Sequence, residues 1–155
     1  MYVALKRPQT FKERLINWLS GAGGFCHSEL IFPTAGRALT SLPKTGVRWV
    51  IHTYPADLWE LWDIGYEWAE DFVQEWARKE IGSPYDWKGV FRFVLKFLRQ
   101  SKCCWFCSEI DVAAMQQCNL FRRVKPWKVS PNRLRSMLKR AGFRRVRQVS
   151  ELANV

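Results

Sequence analysis

Hydrophobic positions recur along the chain with two periods, which predicts a fold built from both strands and helices. Short stretches rich in β-branched and aromatic residues predict strands: "YVAL", "FCHSELIF", "RALTS", "GVRWVIHTY", "WELWDI" and, weakly, "FRRVRQV". Helical spacing appears in "FKERLINWLS", from Tyr66 to Ile81, in "YDWKGVFRFVLKFL", after Cys107 and in "SPNRLRSMLKRAG". Strands and helices alternate irregularly and without repeats, so we predict an α+β fold.

The first predicted helix has a clear start and an apolar face. Thr10 and Glu13 have the spacing of a capping box, and Gly21 follows the last helical residue. Four apolar residues share one side of the helix: Phe11, Leu15, Trp18 and Leu19.

Two later helices also carry start signals. Ser108 and Asp111 have capping-box spacing just after Cys107, and small residues in that helix predict close packing on a sheet. Ser130 is the expected cap of the last helix, with Pro131 at its first position. In the helix from Tyr66 to Ile81, the apolar residues expected to define one face are Trp68, Phe72, Val73 and Trp76.

Composition limits the class of protein. The chain has 155 residues, which suits one domain over residues 1–155, and its 48% hydrophobic content can form a real core. No apolar run approaches the roughly 20 residues of a membrane span, and the N-terminal stretch has no signal-peptide pattern. Five cysteines, an odd number, favour reduced thiols over a disulfide framework.

The charge is strongly positive and unevenly distributed. The chain carries 25 Lys and Arg against 14 Asp and Glu, a net charge of +11, with a basic C-terminal segment from about residue 122 to 155. Such a surface attracts phosphates, anionic lipid or an acidic polymer, so nucleic acid is one candidate partner. The alternative is a solvated basic face that serves solubility.

The chemistry centres on Cys107, which lies at the start of a predicted helix. The positive end of a helix dipole favours a thiolate, and the first N–H groups of a helix can stabilise an oxyanion. A cysteine alone is as readily a buried structural residue. His27, at the start of a predicted strand, changes this reading because an imidazole can act as base and ion-pair partner.

Three motifs in order carry a family resemblance: "FCHSELIF", "GSPYDWKGV" and "WFCSEI". They resemble the circularly permuted branch of the NlpC-type, papain-like cysteine peptidase superfamily, in which the histidine strand precedes the cysteine helix. Relatives in that branch include lecithin:retinol acyltransferase-like enzymes and many small bacteriophage proteins. The resemblance extends from Tyr2 to about Leu138. It implies a permuted papain-like fold, with an antiparallel sheet packed against helices.

The resemblance also implies roles for individual residues. Cys107 corresponds to the nucleophile, His27 to the general base and Tyr85 to the tyrosine that lines the site and assists the oxyanion. The residue that orients the histidine corresponds to Thr40, with Ser41 as the alternative, where many relatives have His, Glu or Asn.

Other polar residues near these motifs have weaker cases. Glu29 lies two residues from His27 on the same strand face, where it could line the site or orient the imidazole, or be a solvated charge. His52 is expected to have a surface or packing role. Cys104 and Cys107 have metal-ligand spacing but no second pair, so neither a metal nor a cofactor is expected.

Three classes of function remain open. The first is a cysteine hydrolase acting through a thioester, on peptidoglycan peptide or, alternatively, on acyl lipid. The second is a virion or host-interaction protein that keeps the fold with a weak or silent site. The third is a basic module that binds nucleic acid or an anionic surface.

The phage-like motifs predict that the protein is located in the host cytoplasm or in the virion.

Overall fold

An antiparallel sheet of six strands forms the centre of the protein. The structure, a computed structural model, describes residues 1–19, 21, 23–92 and 103–147. The strands are β1 (Tyr2–Lys6), β2 (His27–Phe32), β3 (Arg37–Leu42), β4 (Gly46–Val50), β5 (Trp59–Asp63) and β6 (Arg144–Val146). Their order across the sheet is β4-β3-β2-β1-β5-β6, and every neighbouring pair is antiparallel.

Five α-helices accompany the sheet. They are α1 (Phe11–Leu19), α2 (Glu70–Glu80), α3 (Trp87–Arg92), α4 (Cys107–Gln117) and α5 (Pro131–Arg140), with single 3-10 turns at Glu67–Ala69 and Pro126–Lys128. The prediction of an α+β fold, with an antiparallel sheet and packed helices, is therefore confirmed. The edge strand predicted in "FRRVRQV" is β6. The last eight residues of the basic segment, 148–155, lie outside the described residues.

The alternation of side chains along each strand gives the sheet two different faces. Val3 and Leu5 of β1 point into the larger core, which also contains buried residues of α2, α4 and α5. Tyr2 and Ala4, which alternate with them, belong to a smaller cluster on the opposite face, partly covered by Tyr54 from the segment after β4. The helices therefore cover one face, and the segment 51–58 lies over part of the other.

Helix α4 is buried around its whole circumference along residues 107–115. It contacts β2 and β3 of the sheet and, on its other sides, α2 and α5. Ala113 and Ala114 allow this close approach, as the sequence predicted. A helix enclosed in this way must satisfy its polar side chains through contacts with neighbouring segments.

The capping box predicted from Ser108 and Asp111 does not form, because both side chains bond to neighbouring segments instead. The N-cap position is Phe106, which has no side-chain cap hydrogen bond. Ser108 instead donates to the Val129 carbonyl oxygen at 2.6 Å, and Asp111 accepts from the Ser28 hydroxyl of β2 at 2.5 Å. In contrast, the predicted Ser130 cap of α5 is confirmed, since its hydroxyl accepts from the Arg133 N–H.

Two other helices expose apolar residues to solvent. No residue of α1 is buried, and three of the four apolar residues that share one of its sides are exposed: Phe11, Leu15 and Trp18. In the predicted helix from Tyr66 to Ile81, Val73 is buried and Trp76 is partly buried, but Trp68 and Phe72 are exposed. Helical spacing identifies residues that share a side, but it does not determine which side meets the core.

Two segment boundaries also differ from the predictions. The strand predicted in "GVRWVIHTY" ends at Val50, and the residues from 51 onward turn away over the sheet. The helix predicted in "YDWKGVFRFVLKFL" begins at Trp87, because Asp86 accepts from the Gly89 N–H at 2.8 Å and so caps its start. The part of that prediction beyond residue 92 lies outside the described residues.

Asp111 makes the stability of the fold depend on pH. Burial raises its pKa to about 8, well above the usual range of an aspartate, although the Ser28 hydroxyl and the charge of His27 act in the opposite direction. Between that usual range and the raised pKa, the folded protein holds a proton that the unfolded chain releases. The resulting stability is fully present below the unfolded pKa and is lost as the pH rises through the folded pKa, by up to about 1.4 kcal/mol per pH unit.

We therefore predict that Asp111→Asn flattens the pH dependence of the unfolding free energy, because the amide cannot ionise and its oxygen still accepts from Ser28. Urea denaturation between about pH 4.5 and 6.5 measures the slope. Asp57→Asn, which changes an exposed aspartate, is the matched control. Parallel curves for wild type and Asp111→Asn would contradict the prediction.

Candidate active site

Cys107 and His27 meet where the start of α4 approaches the start of β2. The charge of Cys107 raises the pKa of His27, which places the two side chains close together, and both are largely shielded from solvent. The contact follows from the fold, because α4 packs on β2 and β3 and the bond between Asp111 and Ser28 ties its first turns to the start of β2. The structure therefore brings together the two residues that the sequence singled out as nucleophile and base.

Thr40 and Ser41 point to opposite faces of β3, as neighbouring strand residues must. The Thr40 hydroxyl lies 3.0 Å from Nε2 of His27, whereas the Ser41 hydroxyl donates to the Trp105 carbonyl oxygen at 2.6 Å. Because Nε2 contacts Thr40, the other ring nitrogen of His27 is left for Cys107. Of the two candidates, Thr40 has the position needed to orient the imidazole, and Ser41 instead holds the segment leading into α4.

Glu29 also contacts the imidazole, and it is not a solvated charge. Its side chain is buried, and its Oε1 lies 3.2 Å from Nε2 of His27. Its other oxygen, Oε2, lies 2.7 Å from Nε2 of His52 and accepts from the Tyr54 hydroxyl at 2.8 Å. A carboxylate thus joins two imidazoles. His52 is at the surface and packs on other rings, as expected, but it lies beside the site rather than far from it.

Sequence reasoning missed His52 and Tyr54 because the relevant contacts are long-range. His52 is 23 residues from Glu29, and Tyr54 is 25 residues away. Both lie in the segment 51–58, which was predicted partly as strand. The available signal was the run of alternating polar ring residues in "IHTYP" after a strand, beside a strand that carries a glutamate.

The charges of the site alternate along this chain of contacts. Burial lowers the pKa of His27, but the charge and hydrogen bond of the Cys107 thiolate, together with those of Glu29, outweigh burial and raise it to about 10. For Glu29, burial acts to raise the pKa, but hydrogen bonds from His27 and His52 and their charges lower it to about 2. The geometry therefore favours a charged imidazole at His27, with Cys107 and the Glu29 carboxylate as its neighbours.

Besides His27, the side chains described near Cys107 are uncharged. Tyr85 and Leu19 pack against the pair formed by Phe106 and Cys107. Burial and the Cys107 charge raise the pKa of Tyr85 well above its usual range, so its phenol keeps its proton. The nearby Cys26 is also a neutral thiol, because burial, with the charges of Glu13 and Cys107, raises its pKa to about 12.

A groove opens beside the imidazole on the face of the sheet opposite α4. Its volume is about 670 Å³, and its walls include Lys6, His27, Glu29, Arg48 and His52. The edge of His27 that contacts Thr40 and Glu29 therefore borders this groove, on the side of the ring away from the sulfur.

No group of three or more His, Cys, Asp or Glu side chains that could hold a metal ion occurs in the part of the chain that the structure describes. Within the same residues, no helix combines the length and apolar character needed to cross a bilayer.

A scan against protein-family models, a search of curated proteins and a search of solved structures each returned no match. The relation to NlpC-type peptidases thus remains a resemblance carried by the motifs.

We predict that Glu29→Gln lowers the pKa of His27 by about 1 to 3 units, because it removes a negative charge in contact with the imidazolium. An NMR titration of the His27 ring measures the effect. Glu60→Gln is the matched control, since Glu60 is an equally buried glutamate that bonds to Trp62 and Arg135 instead. Equal pKa changes in the two variants would contradict the assignment of Glu29 to the imidazole.

A second prediction concerns the reactivity of the thiols. His27→Asn should slow iodoacetamide labelling of Cys107 about 10-fold near neutral pH, because the thiolate loses its counter-charge. Labelling of Cys103, which is exposed, should not change, and it serves as an internal control within each sample. Mass-spectrometric mapping after brief treatment gives both rates. A Cys107 rate that is insensitive to His27 would remove the case for an activated nucleophile.

Proposed function

We propose that the protein is a cysteine hydrolase of the amidase or peptidase type that works through a thioester. The observation that carries the proposal is the contact of Cys107 with His27, together with Thr40 and Glu29 on the far side of the imidazole. A buried structural thiol has no need of an imidazolium partner that is itself held by a carboxylate. The resemblance to permuted NlpC-type peptidases supports the same chemistry.

The proposed reaction has two steps. The Cys107 sulfur attacks an amide or ester carbonyl carbon, and the bond from that carbon to the leaving nitrogen or oxygen breaks as the leaving atom takes a proton from His27. Water then attacks the thioester carbon and gives a proton to His27, the carbon–sulfur bond breaks, and the acid leaves while Cys107 returns as a thiolate beside the protonated imidazole. The imidazole thus acts first as acid and then as base.

Stabilisation of the oxyanion would come from two kinds of donor. The N–H groups of the first turn of α4 point toward the end of the helix where the sulfur lies. The phenol of Tyr85 packs against Cys107 and keeps its proton, so it can donate a hydrogen bond. Tyr85→Phe would test the contribution of the phenol while keeping the packing of the ring.

For the substrate we propose peptide amide bonds of bacterial cell wall, on the phage-like character of the motifs, with acyl esters as the alternative. The test is incubation with muropeptides and with acyl-ester probes, comparing wild type with Cys107→Ala. Product formation that Cys107→Ala abolishes supports the proposal. Absence of turnover on every amide and ester would instead favour a virion or host-interaction protein with a silent site.

We predict that Thr40→Val slows thioester formation by about 10- to 100-fold, or about 1.4 to 2.7 kcal/mol of barrier. Valine keeps the shape of threonine and removes the hydroxyl that contacts Nε2 of His27. Rapid-mixing measurement of the acylation burst with an activated ester gives the rate. Ser41→Ala is the matched control, because it removes a hydroxyl on the opposite face of the same strand. A loss in Ser41→Ala with none in Thr40→Val would show that the wrong residue has been assigned.

A further inference from the structure

Helix α1 presents its apolar side chains to solvent rather than to the core. Phe11 is 82% exposed, Leu15 46% and Trp18 66%, at the spacing of one helix face. Trp87, at the start of the neighbouring α3, is 48% exposed. We call these four residues the α1 patch. Large apolar side chains gathered on a surface mark a site of interaction rather than a feature of stability.

Cationic side chains flank the α1 patch. Lys12 and Arg14 of α1 and Lys88 of α3 are all exposed. The one acidic residue in the sequence of α1 is Glu13, and its charge is neutralised by an ion pair with Lys6 at 2.5 Å. The surface around the apolar side chains therefore has a positive charge.

A second apolar patch on the same protein has the opposite surroundings. Trp68 is 79% exposed and Phe72 61%, a Trp–Phe pair with exposure comparable to that of Phe11 and Trp18 in the α1 patch. Its neighbours Glu67, Asp71 and Glu75 are exposed acids, and Glu75 pairs with the exposed Arg78. The two patches thus differ in flanking charge more than in hydrophobicity, which makes the second one a built-in control.

We propose that the α1 patch docks the protein on an anionic lipid surface. Tryptophan, phenylalanine and leucine on one side of a helix, with basic residues beside them, insert at the boundary between headgroups and acyl chains. Basic residues near an anionic leaflet strengthen binding through their attraction to its headgroups. A protein partner with an apolar groove would not explain why the cations surround this patch alone.

Docking would bear on the candidate active site through the same helix. Leu19, the last residue of α1, packs against Phe106 and Cys107, so α1 contributes to the cover over the sulfur. If α1 is bound at a lipid surface, Leu19 and the Cys107 thiol that it covers would lie close to the lipid. This consequence rests on the proposed hydrolase function, and it favours a carbonyl substrate presented at a lipid boundary. The docking itself does not depend on activity.

The test is cosedimentation of the whole chain with phosphatidylcholine vesicles, with and without phosphatidylglycerol. We expect binding that requires phosphatidylglycerol and weakens as salt increases. The double variant Phe11→Ser/Trp18→Ser should lose at least about 10-fold in affinity, because each ring would bury apolar area in the bilayer. The control Trp68→Ser/Phe72→Ser removes the same residue types from the acidic patch and should bind as wild type does. Circular dichroism checks that both variants fold.

Three outcomes would overturn the proposal: binding that is indifferent to phosphatidylglycerol, an equal loss in the two double variants, or no binding. Self-association of wild type that disappears in Phe11→Ser/Trp18→Ser, measured by light scattering, would assign the patch to a second copy of the chain. Lys12→Glu/Lys88→Glu, which leaves the apolar residues in place, should weaken binding by itself. Hydrolysis of a soluble ester without vesicles is measured in parallel, so failure of docking and failure of the hydrolase proposal are distinguished.

Discussion

The enclosure of α4 is the constraint on which the rest of the structure depends. A helix that is buried on every side cannot leave its first-turn polar groups to water, so Ser108 bonds to the Val129 carbonyl and Asp111 to Ser28 of β2. These two hydrogen bonds fix the position of α4 along the sheet and its rotation about its own axis. With α4 held in that position, the Cys107 sulfur lies at the start of β2, where His27 is the first strand residue. The contact between thiol and imidazole is thus a consequence of core packing, and a slip of α4 would separate the two groups.

The strand alternation then divides the polar residues of β2 and β3 between two tasks. Ser28 and Ser41 face the helix side and hold α4 and the segment that leads into it. Thr40 and Glu29 reach the imidazole from the other side of the sheet, where the segment 51–58 adds His52 and Tyr54. Successive side chains of a strand point to opposite faces of the sheet. A shift of β3 by one residue would therefore move Thr40 to the helix side and Ser41 to the imidazole side. The register of β3 therefore determines which hydroxyl contacts the imidazole.

Much of this arrangement could be predicted from local sequence, and the rest could not for physical reasons. Strand and helix periods and the Ser130 cap depend on neighbouring residues, so the sequence contains them. The choice of Thr40 over Ser41 as the hydroxyl nearer the imidazole came instead from the register that the family resemblance implies. The burial of Glu29 depends on a segment more than 20 residues away that folds back over the sheet. The orientation of α1 was also beyond reach, because a periodic pattern is equally satisfied by an apolar face on the core and by one in solvent. The failed capping box of α4 has the same origin, since tertiary partners replaced the local ones.

The alternating charges suggest how the site could serve both halves of a thioester reaction. A pKa of about 10 makes His27 a stable imidazolium and a good counter-ion, but a weak acid near neutral pH, where proton transfer is most effective from a group with a matching pKa. Among the groups that raise this pKa, the Cys107 thiolate is the largest, and its charge disappears as the sulfur bonds to a carbonyl carbon. The acidity of His27 would therefore increase at the moment when the leaving group needs a proton. Glu29 keeps its charge throughout, so it limits how far the pKa falls and holds the ring in place for the return of the proton from water.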